Sequence, residues 1–173
     1  MLTDVKQALD NVIAWEWLPA SDCIRASTTV RSVYGVDRIA RIDDLLQLVL
    51  PRDRARHRMA VERALEGCKP YASHFRLVRP DLRVVHVREH AHVLCDGRGF
   101  AAIVIGVSLI VPATTSKVWL EVEQVAHALL AREASNRRAR GITKAQGFAQ
   151  WDRVGRGRIR RAAHQAISKS PGS

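Results

Sequence analysis

A chain of 173 residues, 47% apolar and 26% charged, suits one cored domain with an appendage better than two full domains. Its net charge of +11 is uneven: residues 131–173 hold eleven Lys or Arg against Glu133 and Asp152, a net +9, so two parts with different tasks are expected. No stretch approaches the ~18–20 apolar residues of a membrane span, the opening Met1-Leu2-Thr3-Asp4-Val5-Lys6 lacks the regions of an export signal, and the scattered Cys23, Cys68 and Cys95 give no zinc spacing and fit a reducing, cytoplasmic setting.

Leu2, Val5, Leu9 and Val12 recur at three- and four-residue steps, which predicts an N-terminal flanking helix over residues 1–13. Ala14–Leu18 reads as a strand with Trp15 and Trp17 on one face and Glu16 on the other. The turn-rich Pro19-Ala20-Ser21-Asp22 then leads to a partner strand over Ile24–Ser27. Short helical turns fill Val30–Leu50. Pro51-Arg52-Asp53 opens a helix that runs to about Glu66, with Gly67 as its stop.

From Tyr71 the period changes to two. Phe75 and Leu77 alternate with His74 and Arg76. After Pro80-Asp81, Val85, Val87, Ala91 and Val93 alternate with His86, Arg88, His90 and His92. Asp96-Gly97-Arg98-Gly99 is a second turn, and Phe100–Val111 is a nearly continuous apolar strand. The three strands make an antiparallel meander ended by Pro112. Thr115 and Ser116 offer cap chemistry for a last helix with Val118, Val122, Val125 and Leu129 on one stripe.

Trp15-Glu16-Trp17, Tyr34-Gly35-Val36, Leu50-Pro51-Arg52-Asp53-Arg54, Phe75-Arg76-Leu77-Val78-Arg79-Pro80-Asp81, Asp96-Gly97 and Gly106-Val107 stand in an order and spacing that resembles the PAS-3 family. The resemblance covers roughly Ala14–Val111. It implies an α+β PAS fold: a five-stranded antiparallel sheet over residues 14–112 with helices on one face, followed by a helical basic tail over 113–173. Leu82 stands where the family usually has glycine, and Ile110-Val111-Pro112 where it often has aspartate-isoleucine-threonine. No reactive-cysteine word of the flavin photoreceptors is present, so a covalent flavin is not expected. Leu129–Arg137 is similar to the phosphoacceptor helix of HWE-type histidine kinases, with Asn136 in the place of the phosphorylated histidine; its amide does not accept a phosphoryl group. Ile142, Ala145 and Gly147 resemble the spacing of RNA-binding ANTAR modules, the rest of which is missing.

Glu89 falls on the apolar face of its strand, where a carboxylate needs a partner. It reads as an anchor for a small ligand or as part of an internal hydrogen bond or ion pair. Trp15, Trp17 and Tyr34 either line a pocket or fill the core. His90 and His92 are two apart on the opposite face, which is left to solvent or a partner rather than to a metal ion. His57, amid Arg52, Arg54, Arg56 and Arg58, reads as solvated, so haem is not expected. No order of residues for catalysis appears, and the chain reads as a bacterial sensor or adaptor, a homodimer with a protein signalling partner, and not an enzyme. The other reading is a regulator that binds nucleic acid through Arg137, Arg138, Arg140, Arg158, Arg160 and Arg161.

Overall fold

In the computed structural model, residues 10–112 and 117–141 are described. Strict alternation along β1 (Val12–Leu18) sets the architecture. Ile13, Trp15 and Trp17 turn to one side of the sheet, and Val12, Ala14 and Glu16 turn to the other. β2 (Cys23–Ala26) pairs with one edge of β1, and β5 (Ala101–Val111) with the other. β4 (Val84–Cys95) joins β5 to β3 (Tyr71–Val78), which gives the order β2-β1-β5-β4-β3, antiparallel throughout. This is the α+β class and five-stranded sheet that the sequence indicates.

Three helices cover the inner face: α1 (Thr29–Tyr34), α2 (Ile42–Leu48) and α3 (Pro51–Gly67). Val30, Val33, Leu45 and Val49 pack on Ile13, Phe75, Leu77 and Val87, while Val61 and Ala64 of α3 pack on Trp17, Ala91, Val93 and Val104. Phe75 and Leu77 are fully buried, and each such side chain contributes roughly 1.5–3 kcal/mol. Asp53 ties the start of α3 to β3: its carboxylate accepts the Arg76 backbone N–H and two guanidinium N–H groups, all at 2.9 Å. The hydrogen bond from Arg76 is the main reason its pKa is held far below the usual carboxylate range.

The structure corrects several expectations. Val12 is not part of a helical stripe; it pairs with Leu109 and lies in the outer core, so β1 starts two residues earlier than expected. Leu2, Val5 and Leu9 lie outside the described residues. The left-handed cap of α3 is Cys68 (φ 49°), not Gly67. Cys68 and Cys95 form a disulfide, with Cα atoms 6.1 Å apart, rather than the free thiols of a reducing setting. Their separation of 27 residues hides that the end of α3 meets the β4–β5 hairpin. The outer face, left by the sequence to solvent or a partner, is covered by α4 (Lys117–Ala139) of the same chain. Its packed residues are Trp119, Val122, Ala126, Leu130 and Ala134, a stripe turned slightly from the expected one; Val125 and Leu129 sit at its margin.

The β3–β4 turn carries local strain. Arg79 N–H bonds the Arg83 carbonyl and Leu82 N–H bonds the Arg79 carbonyl, which closes a three-residue loop whose last position needs a left-handed backbone. Leu82 fills it at φ 65° with its side chain 82% exposed. A branched side chain gains nothing there and opposes that conformation. Leu82→Gly is expected to raise unfolding stability by up to about 1 kcal/mol, after the entropy of glycine is offset. Urea denaturation checks this, and an unchanged or lower midpoint argues against strain at the turn.

Candidate functional site

The inner face of the sheet is apolar except along two neighbouring rows. Ser73, Glu89, Ser108 and Ile13 stand side by side in register across β3, β4, β5 and β1, as do Tyr71, Ala91, Gly106 and Trp15. Gly106 has no side chain, and the Trp15 indole lies over it. Trp15 Nε1–H thereby donates to Ser108 Oγ at 2.9 Å, and Ser108 donates to Glu89 Oε2 at 3.1 Å. Tyr71 donates to Glu89 Oε1 at 2.9 Å, and Tyr34 also bonds Ser108. Burial first, then the Glu89 charge, pushes both tyrosine hydroxyls well above their ordinary range, so both stay protonated donors.

These groups border a cavity of about 30 Å³ between the sheet and α1–α2. Its lining includes Trp15, Trp17, Tyr34, Tyr71, Glu89 and Ser108. Glu89, Trp17 and Tyr34, singled out in the sequence, are thus brought to one place. Glu89 does bond within the fold, through two hydroxyls, and it also faces the cavity. His57 is 1% exposed and not solvated, because α3 turns it onto the sheet, where it meets the Phe75 ring. Its Nδ1 pairs with Ser73 Oγ at 3.0 Å, while its Nε2 has no hydrogen bond and lies 4.0 Å from Glu89 Oε1. Tyr71, Ser73 and Ser108 escape the sequence reading. Ser108 leaves a trace: Gly106 and Ser108 break the apolar run of β5 at two positions of one face.

The outer face holds a second polar system. Arg137, near the end of α4, is buried and donates to Glu16 Oε2 at 2.6 Å and to Glu133 Oε1 at 2.8 Å. Glu16 is 1% exposed, with Arg25 at 3.9 Å as its other cation. Glu123 accepts from Arg88 at 3.0 Å and pairs with His90 at 3.1 Å. Trp119 Nε1–H donates to the Ile110 carbonyl at 2.8 Å, and Arg138 to the Val93 carbonyl at 3.2 Å. Arg137 is therefore a fastening within the fold rather than a partner contact. Arg138 and Arg140 are exposed at the end of the helix; Arg158, Arg160 and Arg161 lie outside the described residues. Among the described residues no cluster of side chains is arranged to hold a metal ion, and no helix is long and apolar enough to cross a membrane.

His92 makes the outer face sensitive to acid. Burial, then Arg138 and His127, lower its pKa; burial, then His86, Arg88 and Arg56, do the same for His74. The folded state takes up these protons less readily than the unfolded chain. Stability is then full above the ordinary histidine pKa of about 6.5 and falls as pH drops below it. Melting scans from neutral to mildly acidic pH are expected to show a falling midpoint that His92→Gln flattens; an equal slope in the variant assigns the effect elsewhere.

A family model described as the PAS fold matches residues 24–108. A blue-light activated histidine kinase from Erythrobacter litoralis superposes with a TM-score of 0.66 at 14% identity, over 96% of this chain and 55% of that one. A sensory box histidine kinase/response regulator structure from Burkholderia thailandensis gives 0.53 at 19% identity, over 79% and 96%. An RNA-binding light-oxygen-voltage receptor gives 0.52 at 15% identity, over 91% and 48%. No curated protein matches the chain.

Proposed function

Because the chain carries a PAS domain of the PAS-3 family, we propose that it is a sensory module of signal transduction that acts by conformational change and protein contact, without catalysis. The occupant of the inner cavity sets the position of β1, and β1 sets the docking of α4, whose exposed end meets a protein partner. One observation carries this reading: Trp15 and Trp17 line the cavity, while Glu16 between them holds Arg137 on the other face. A displacement of β1 toward either side acts on both at once. Ala26→Leu, which fills the cavity from β2, is the test. Amide exchange along α4 is expected to quicken about tenfold or more while β4 and β5 stay protected. A folded variant with unchanged α4 exchange overturns the relay.

The same proposal includes pairing of two chains through the stripe Leu2, Val5 and Leu9, which leaves more apolar surface than one small sheet face needs. Sedimentation as a monomer at tens of micromolar contradicts it. Asn136, exposed on α4 at the position that the resemblance to a kinase phosphoacceptor helix gives to histidine, supports a chain without autokinase chemistry. Transfer of label from ATP to the purified protein overturns that. A second reading, binding of nucleic acid through residues 142–173 and Arg138 and Arg140, is favoured by the concentration of +9 charge beyond residue 130. It requires log affinity to fall linearly with log salt, with little sequence preference. Arg158, Arg160 and Arg161 replaced together by glutamine would lower that slope; binding that ignores the change leaves the tail to solubility.

A further inference from the structure

We infer that the inner cavity is a site for a small organic ammonium ion, with Glu89 as its counter-charge and Trp15, Trp17, Tyr34 and Tyr71 as its walls. The inference rests on the sensory reading above and names the chemical class its cavity takes.

Four aromatic side chains converge on this space, and their remaining neighbours are aliphatic apart from Ser108 and Glu89. Aromatic faces attract cations, most strongly where water is excluded. Among the described residues, Glu89, 2% exposed, is the one carboxylate in the lining, and no Lys, Arg or His lines it. The donors around Glu89 are hydroxyls rather than cations. An indole N–H can only donate, so Trp15 occupies Ser108 as an acceptor and directs the Ser108 proton to Glu89. Tyr71 supplies the other hydroxyl. An ionised carboxylate has about four acceptor positions, so two remain open. The nearest basic group, His57, stands 4.0 Å off, beyond hydrogen-bond length, with Nε2 unpartnered.

A carboxylate buried beside open apolar space is destabilising until a cation joins it. An anionic ligand would meet Glu89 repulsion, and a neutral one would leave the charge unbalanced. An ammonium group answers both acceptor positions and the aromatic faces together. Size narrows the class further. A volume of about 30 Å³ holds roughly two water-sized groups, which matches methylammonium; larger ammonium ions require the aromatic walls to part.

The test uses the full chain, labelled with nitrogen-15, and follows the indole N–H resonances of Trp15 and Trp17. The probes are methylammonium, dimethylammonium and trimethylammonium chloride at matched ionic strength, against methanol, ethanol and propan-2-ol as neutral counterparts with the same number of non-hydrogen atoms. Saturating shifts with at least one ammonium ion are expected, with the matching alcohol binding about tenfold more weakly or worse. Glu89→Gln keeps the side-chain shape and is expected to weaken ammonium binding by about tenfold or more. Equal response to alcohols, or no saturation by any ammonium ion at tens of millimolar, overturns the inference. If Glu89→Gln does not fold, the alcohol comparison on the unaltered protein decides alone. Failure here with a retained α4 response to Ala26→Leu leaves the sensory reading standing. Ammonium binding without that response leaves a binding domain with no relay.

Discussion

Arg137→Met is expected to release α4 from the sheet while the remainder of the domain stays folded. The substitution leaves Glu16 buried with its nearest cation, Arg25, 3.9 Å away and half exposed. Glu16 Oε1 already lacks a hydrogen bond, so the carboxylate has no second donor to fall back on. Breaking one side of such a pair costs about 3–5 kcal/mol. The chain can avoid that cost by letting water reach Glu16, and water enters most easily by lifting the end of α4. Amide exchange should therefore rise along α4 and leave β3, β4 and the inner helices protected. Glu16→Leu combined with Arg137→Met removes both charges and should restore docking, since an apolar pair of similar volume is close to neutral there. The single variant with wild-type exchange along α4 would show that Trp119, Val122 and Leu130 hold the helix without the ion pair.

The strands were legible because their chemistry is local. Period two in β3 and β4, the turn words at Pro80-Asp81 and Asp96-Gly97, and the alternation Trp15-Glu16-Trp17 each act within a few residues. Glu89 was legible as a carboxylate on the inner face for the same reason: its place on an apolar face follows from counting along one strand. What escaped depends on contacts far apart in the chain. His57 lies among arginines in sequence, and only the docking of α3 turns its ring away from them toward Phe75 and Ser73. Arg137 reads as one more charge in a basic tail until Glu16, 121 positions away, meets it. Cys68 and Cys95 are joined by the same kind of distant meeting. The rotation of the α4 stripe toward Trp119 has a simpler origin. Indole is amphipathic, and Trp119 turns inward to donate to the Ile110 carbonyl near the end of β5, which a periodicity of aliphatic residues does not register.

Gly106→Ala is expected to destabilise the domain and disable the cavity together. Gly106 has an ordinary strand backbone, so alanine meets no conformational penalty of its own. The obstacle is Trp15: a Cβ at position 106 overlaps indole carbons Cζ2 and Cε2. The ring cannot tilt away freely, because its Nε1–H is fixed to Ser108 and its face borders the cavity. Overpacking of this kind costs typically about 1–3 kcal/mol, and loss of the indole hydrogen bond adds about 0.5–1.5 kcal/mol. Ser108 would then be free to turn from Glu89, and the carboxylate would lose one of its two hydroxyl donors. Urea denaturation should register the stability loss, and the Trp15 indole resonance should move toward its solvent-exposed position. Methylammonium should no longer shift it. Trp15→Leu in the Gly106→Ala background relieves the overlap, so it should recover stability relative to Gly106→Ala alone, but not ammonium binding, because an aromatic wall and the donor to Ser108 are both gone. If Gly106→Ala keeps wild-type stability and an unmoved Trp15 resonance, the indole does not lie on Gly106, and the chain of hydrogen bonds from Trp15 to Glu89 has to be drawn differently.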